Sequence, residues 1–275
     1  MFSVGKNFKS MDKSKRIKEF WEEQAVKRGL SIQTGSFDFY LKLLEVDEIL
    51  NWFSKQNGKI LKVLDVGCGT GYTICRLANF GNLDLYGVDY SQKIIDLAQR
   101  RRSRLGKANS GRVKFLVGDA CSLPFKDESF DVVITERVLI NLADIRQQKK
   151  AIKGIWRILK EDGVYLSFEG YKQGFEAINQ LRVKFGLEEI KETWSTSKLD
   201  KAIFFPFFKK YFIPKKEKDF GLYYFISRVI YPLLIHPRQP KYRAKINQVA
   251  YTVSRQLDYF NDIGHLKFLE LQKLD

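Results

Sequence analysis

The residues best suited to hold a ligand lie in Val63-Leu64-Asp65-Val66-Gly67-Cys68-Gly69-Thr70-Gly71, an apolar run that ends in a glycine-spaced turn. Glycines at this spacing let backbone amides approach a ligand closely, and the helix such a turn opens favours a carboxylate or phosphate at its N-terminus. A second apolar run, Leu85-Tyr86-Gly87-Val88-Asp89, ends on a carboxylate 20 residues after Gly69. An acidic side chain placed there is suited to bind both hydroxyls of a ribose. The three cysteines, Cys68, Cys75 and Cys121, fall in no metal-binding spacing, and the two histidines are His236 and His265. Neither a metal site nor a disulfide framework is expected, and a reducing intracellular compartment is.

Elements must hold these groups in place. Between residues 60 and 168, short β-rich runs (60–66, 83–88, 113–117, 130–135 and 163–168) alternate with helical segments (71–80, 91–104 and 144–159). This alternation predicts a parallel sheet flanked by helices. Ser91 reads as an N-cap, and the basic cluster 100–104 sits where the helix dipole favours cations. Two amphipathic helices, 13–29 and 38–55, precede the sheet. After Gly170 the pattern changes to a helix over 175–185, an aromatic segment 194–208, a strand over 211–220, an apolar helix 220–235 and a helix 245–260. Five of the six prolines and eleven aromatics fall in residues 201–240, which reads as a cap over the substrate.

The glycine turn with Asp65 two residues before Gly67, followed by Asp89, resembles the class I S-adenosylmethionine-dependent methyltransferases. Val117-Gly118-Asp119-Ala120, Leu123-Pro124-Phe125, Phe130-Asp131-Val132-Val133 and Arg157-Ile158-Leu159-Lys160-Glu161-Asp162-Gly163 follow the family's order. The resemblance implies an α/β fold: a seven-stranded, doubly wound, mostly parallel Rossmann-like sheet with an antiparallel last strand near residues 265–274 and a helical cap inserted before it. The implied organisation is 1–58 as N-terminal helices over the cofactor site, 59–170 as the cofactor-binding core, and 171–275 as acceptor cap and closing strands. It implies S-adenosyl-L-methionine as cofactor. Asp65, Gly67, Cys68, Gly69 and Gly71 would hold its methionine part, Asp89 its ribose, Tyr90 and Ala120 its adenine ring, and Asp119 its exocyclic amine.

The family's acceptor chemistry sits at the ends of the fourth and fifth strands, here Thr135-Glu136-Arg137 and Glu169-Gly170. The Asn/Asp-Pro-Pro-Tyr and Pro-Cys signatures of nucleic-acid methylating enzymes are absent there, and Ile140 stands where many small-molecule members have a His. Glu169 is therefore the expected general base and Glu136 the second choice, with a cofactor contact also assigned to Glu136. Arg137, with Asn179 and Arg182 three apart on one helix, are the expected acceptor-binding residues. Because the sulfonium is already a strong electrophile, positioning supplies most of the acceleration, and a base matters chiefly for a hydroxyl.

The 275 residues carry 48 Lys+Arg against 32 Asp+Glu, a net charge of +16, with 44% hydrophobic residues. Such a composition excludes disorder and favours anionic partners. The excess is strongest in residues 201–275, with 14 basic against 6 acidic residues. The expected acceptor is a small anionic or sugar-like molecule, with O-methylation in surface-polysaccharide biosynthesis as the favoured setting. An RNA methyltransferase and a catalytically silent cofactor-binding subunit are the alternatives. The first twenty residues lack the apolar core of a secretory signal. The 220–235 run is too short to span a bilayer, so the expected location is the cytoplasm. Peripheral contact with the inner membrane face, through 204–212 or 220–235, is the remaining expectation.

Overall fold

The protein is described by a computed structural model covering residues 12–56 and 58–274. Residues 1–11 and Asn57, which the sequence assigned to the N-terminal segment, and Asp275, assigned to the C-terminal one, lie outside the described residues. Two helices come first, α1 (Lys13–Arg28) and α2 (Phe39–Ser54), joined through a short 3-10 turn at Ile32–Thr34. There follow β1 (Leu61–Val66), α3 (Tyr72–Leu77), β2 (Leu83–Asp89), α4 (Gln92–Arg102), the single turn α5 (Lys107–Ser110), β3 (Val113–Val117) and β4 (Phe130–Glu136). After a 3-10 turn at Leu139–Asn141, α6 (Ile145–Ile158) leads into β5 (Leu159–Gly170) and α7 (Lys172–Lys184). The last third holds α8 (Lys201–Phe208), β6 (Phe212–Asp219), α9 (Gly221–Phe225), α10 (Tyr231–Ile235), α11 (Lys245–Ser254) and β7 (Leu266–Lys273). A π turn at Ile226–Ile230 joins α9 to α10.

The helices begin where short polar side chains satisfy their first N–H groups. Asp38 accepts from the N–H of Leu41, Ser91 from that of Ile94, and Asp144 from those of Arg146 and Gln147. The sheet order is β3-β2-β1-β4-β5-β7-β6. β1 pairs in parallel with β2 and β4, whereas β7 is antiparallel to both β5 and β6. This is the expected seven-stranded, mostly parallel fold. The chain reverses its direction of winding between β1 and β4, so a crevice opens beyond the carboxyl ends of those strands.

Helices cover both faces. Leu41, Ile74, Ile95, Ile178, Tyr224 and Ala250 bring α2, α3, α4, α7, α9 and α11 onto one. Ile152, Ile155, Phe204 and Phe208 bring α6 and α8 onto the other. Residues 171–274 supply the expected closing strands: β7 pairs with β5, and β6, near the expected strand 211–220, forms the sheet edge. Of the aromatic segment 204–212, Phe204, Phe208 and Phe212 are buried in the core.

Lys267 on β7, only 2% exposed, ties this region together through Asp219, Glu217 and Asp262, each at 3.0 Å. Asp219 is itself buried, so removing the ammonium leaves an uncompensated charge. Lys267→Met is expected to lower the unfolding free energy by about 3 kcal/mol, measured by urea denaturation.

Candidate active site

A cavity of about 750 Å³ opens at the carboxyl ends of the central strands. Gly67, Gly69 and Thr70 form part of its wall, Asp89 and Tyr90 follow from β2, and Gly118 to Cys121 from the turn after β3. Glu136, Arg137 and Val138 come from the end of β4. α1 closes the cavity from above with Ser14, Lys15, Ile17, Lys18 and Trp21. Contacts that hold that helix include Trp21 Nε1 donating to Asn141 Oδ1 at 3.3 Å, Gln147 Nε2 to Ser14 Oγ at 3.1 Å, Lys13 Nζ to Ser197 Oγ at 2.7 Å, and the Lys93–Glu22 pair at 3.0 Å.

The glycine turn takes its shape from residues at φ +66° (Gly67), +53° (Gly69) and +70° (Gly71). A Cβ on Gly67 would lie 2.5 Å from Val138 Cγ2, and one on Gly71 2.5 Å from Phe115 Cζ. At Gly69 a Cβ would meet nothing within 4 Å, because that Cα faces the open cavity. Arg101, from the basic cluster that the sequence placed as a solvated helix end, braces the turn. Its Nε donates to the Thr70 carbonyl at 2.8 Å, and its guanidinium also reaches the Leu30 carbonyl.

Asp89 Oδ2 accepts from the Gly69 N–H at 3.2 Å and Oδ1 from the Ser91 N–H at 3.1 Å. Each oxygen keeps a lone pair for a further donor. Burial pushes this carboxyl up to about 6, against the pull of the backbone N–H groups. Asp119 Oδ1 accepts from Cys121 N–H at 2.8 Å, and Tyr90 and Ala120 stand on the same wall. At the end of β4, Glu136 Oε1 accepts from Thr73 Oγ1 at 2.6 Å, and Oε2 is paired with the Lys42 ammonium. Arg137, at φ +59°, donates to Ser36 Oγ at 2.6 Å and pairs with Glu45 at 3.1 Å.

Three expected cofactor residues sit behind the wall. Asp65 is 1% exposed, and neither oxygen has a hydrogen-bond partner among the described residues. Burial first, then Glu136 and Asp89, holds its carboxyl well above the usual range, while Lys42 opposes them. Cys68 is buried with its thiol pushed up by desolvation, and Gly71 is the left-handed residue that starts α3.

Glu169, the expected general base, requires correction. It is fully buried and absent from the cavity wall. Oε1 accepts from the N–H groups of Val138 and Leu139, both at 3.0 Å, and Oε2 from that of Ile140 at 3.2 Å. The carboxylate is consumed in orienting the turn that follows β4. Asn179 and Arg182, expected to bind the acceptor, are also corrected. Asn179 exchanges hydrogen bonds with the backbone of Ile190, at 2.9 and 3.1 Å. Arg182 donates to the Glu188 carbonyl at 2.8 Å and to that of Arg228. Pro232, four residues after Arg228, has no N–H to offer that carbonyl, so the guanidinium replaces the missing helix donor. No described residue after 170 lines the cavity. The sequence reading also missed Lys42 and Glu45, although two opposite charges three apart on the apolar face of α2 are a visible signal for a buried pair.

Residues 64–167 match the family described as the methyltransferase domain. The match covers the sheet core from β1 to β5. A demethylmenaquinone methyltransferase of Leptospira interrogans is 37% identical over 126 residues, 45% of this chain and 47% of the relative. An uncharacterised methyltransferase of Bacillus subtilis, YcgJ, is 33% identical over 110 residues, 40% of this chain and 41% of the relative. The chain thus spans less than half the length of these curated relatives. Magnesium protoporphyrin IX methyltransferase from Synechocystis PCC 6803 superposes with a TM-score of 0.61 at 16% identity, covering 97% of this chain and 99% of that one. The likeness lies in the fold.

The cavity wall fits S-adenosylmethionine: Asp89 would accept from a ribose diol, Asp119 from an exocyclic amine between Tyr90 and Ala120, and the open Gly69 would leave the backbone within reach. The buried Asp65 carboxyl, without a hydrogen-bond partner among the described residues, leaves two oxygens behind that wall. Asp89→Ala is expected to weaken donor binding by about 1.5–3 kcal/mol, read by calorimetry. A protonated Asp89 loses acceptor capacity, so affinity is expected to fall as pH drops through about 6, and Asp89→Asn to flatten that dependence.

Proposed function

We propose that the protein is an S-adenosylmethionine-dependent methyltransferase whose acceptor is a small molecule already ionised when it binds. The observation that carries this reading is that, with Asp89 and Asp119 assigned to the donor, no described residue of the cavity wall offers an uncommitted carboxylate or imidazole as a base. Glu136 is held by Lys42 and Thr73, Glu169 is buried on three backbone N–H groups, and His265 lies outside the wall. Burial pulls the His265 imidazolium down to about 3, so the ring is neutral. At the mouth, Lys15, Lys18 and Lys150 are exposed, and none has a salt bridge among the described residues. They attract an anion, while Trp21, Ile17, Val138 and Leu142 supply apolar surface for the rest of the acceptor.

Bound in the cavity, S-adenosylmethionine supplies an electrophilic methyl on a sulfonium. The chain's own contribution is then binding and alignment. The glycine turn and Asp89 fix the donor, α1 excludes water, and the lysines hold the acceptor's charge with its nucleophile directed at the donor end. A carboxylate, a phenolate or an enolate meets these demands without a base. A neutral sugar hydroxyl does not, which confines the carbohydrate reading to acidic or phosphorylated sugars that take the methyl on the ionised carboxylate or phosphate oxygen. The open cavity favours an enzyme over a silent cofactor-binding subunit. The free thiols of Cys68, Cys75 and Cys121 suit the cytoplasm as its location.

Transfer of labelled methyl from S-adenosylmethionine to carboxylate, phenolate and phosphosugar acceptors tests the proposal. Methylation of neutral sugars or RNA instead would overturn it. With the true acceptor, the rate is expected to follow the acceptor's own ionisation. K15E/K150E is expected to raise its KM roughly tenfold while donor affinity stays within about twofold. Glu169→Gln places an amide donor against backbone donors, so it is expected to cost about 1–3 kcal/mol of stability, seen as a lower Tm.

A further inference from the structure

We infer that the end of α10 and the loop after it form a docking surface for an anionic lipid bilayer. From Phe220 to Leu257 the chain carries six Lys/Arg and no Asp/Glu. Two of the six are neutralised: Arg228 pairs with Asp38 and Arg255 with Asp47. The other four, Arg238, Lys241, Arg243 and Lys245, are exposed and make no ion pair among the described residues. Several basic groups on β6 and α4 are engaged within the protein. Lys216 and Lys218 on β6 are both paired with Glu48, and Arg101 is spent on the glycine turn.

An apolar apex accompanies the uncompensated charge. Tyr231 and Pro232 anchor α10 in the core, and at the next two positions the chain turns outward, leaving Leu233 38% and Leu234 70% exposed. Tyr242, 47% exposed, stands among the cations. Two exposed leucines followed within a dozen residues by four exposed, unpaired cations suit a surface that offers negative headgroups over hydrocarbon. A nucleic acid would match the charge and leave the leucines in water. In the earlier candidate for this contact, the segment 204–212, the aromatic rings of Phe204, Phe208 and Phe212 are buried in the core.

The surface lies at the cavity's end of the molecule. Arg243 stacks over the ring of Phe39 at 4.8 Å, and both Tyr223 and Arg228 bind Asp38. These two residues begin α2, a few positions after Thr34 and Gly35 of the cavity wall. Docking therefore holds the mouth of the site near the bilayer, where an amphiphilic or surface-presented anion would be met.

The test is sedimentation of the full chain with phosphatidylcholine vesicles, with and without about 30 mol% phosphatidylglycerol, in about 0.1 M salt. Binding is expected to the anionic vesicles, at least about tenfold stronger than to the neutral ones, and lost near 1 M salt. R238E/K241E and L233S/L234S, all at exposed positions, are each expected to weaken it by about fivefold or more. K209E/K210E makes the same charge change at exposed residues after α8, on the other face of the sheet, and is expected to leave it within about twofold. Failure to bind anionic vesicles overturns the proposal. So does an equal loss in the control variant, or retention of binding by the tip variants. Binding of single-stranded RNA through the tip without vesicle binding would make it a nucleic-acid surface and equally overturn the proposal. The readout is partition rather than turnover, so it stands or falls independently of the acceptor.

Discussion

The turn between β1 and α3 must pass three times through left-handed backbone in five residues while Val138 and Phe115 press against it. Glycine alone does this without strain, and the rest of the site is arranged on the surface that results. With no side chain at Gly69, the cavity reaches the backbone itself, and Asp89 can accept that residue's N–H across the β1–β2 seam. Arg101 then holds the turn from outside, through the Thr70 carbonyl. A side chain at Gly67 would displace Val138, which heads the turn carried by Glu169, so the two sides of the cavity share one packing constraint.

Charge is handled differently at the two ends of the site. Toward the ends of β1 and β4, Asp65, Glu136 and Glu45 are buried against Lys42 and Arg137, an arrangement whose desolvation is costly unless the pairing is close. Lys42 answers part of this through Glu136, and Arg137 through Glu45 and Ser36. Asp65 is left without a hydrogen-bond partner among the described residues, and burial holds its carboxyl well above the usual range. At the mouth, Lys15, Lys18 and Lys150 stand in solvent and make that end positive.

The last hundred residues act on the site indirectly. They finish the sheet through β6 and β7, carry α9 and α10 onto its face, and use side chains that look functional to repair backbone. Arg182 replaces the donor that Pro232 lacks, and Asn179 pins the chain at Ile190. The cover over the cavity comes instead from the opposite terminus, where α1 lies across it with only Ile17 and Ala25 fully buried.

The strand–turn–helix order, the parallel core and the cavity-lining residues Gly67, Gly69, Asp89, Tyr90, Asp119 and Ala120 were legible in the sequence, because each depends on local grammar. Buried parallel strands read as unbroken apolar runs, left-handed turns require glycine, and a carboxylate closing the second strand sits at a set distance along the chain. The roles of Glu169, Glu136, Asn179 and Arg182 were not legible, because a carboxylate or guanidinium at the end of an element has the same appearance whether it meets a ligand or a backbone. Only the tertiary structure decides that, by bringing the N–H groups of residues 138–140 onto Glu169, Lys42 onto Glu136, and a proline-deprived carbonyl onto Arg182. Each partner lies 11 to 94 residues away, or on a different element, beyond the reach of any local pattern.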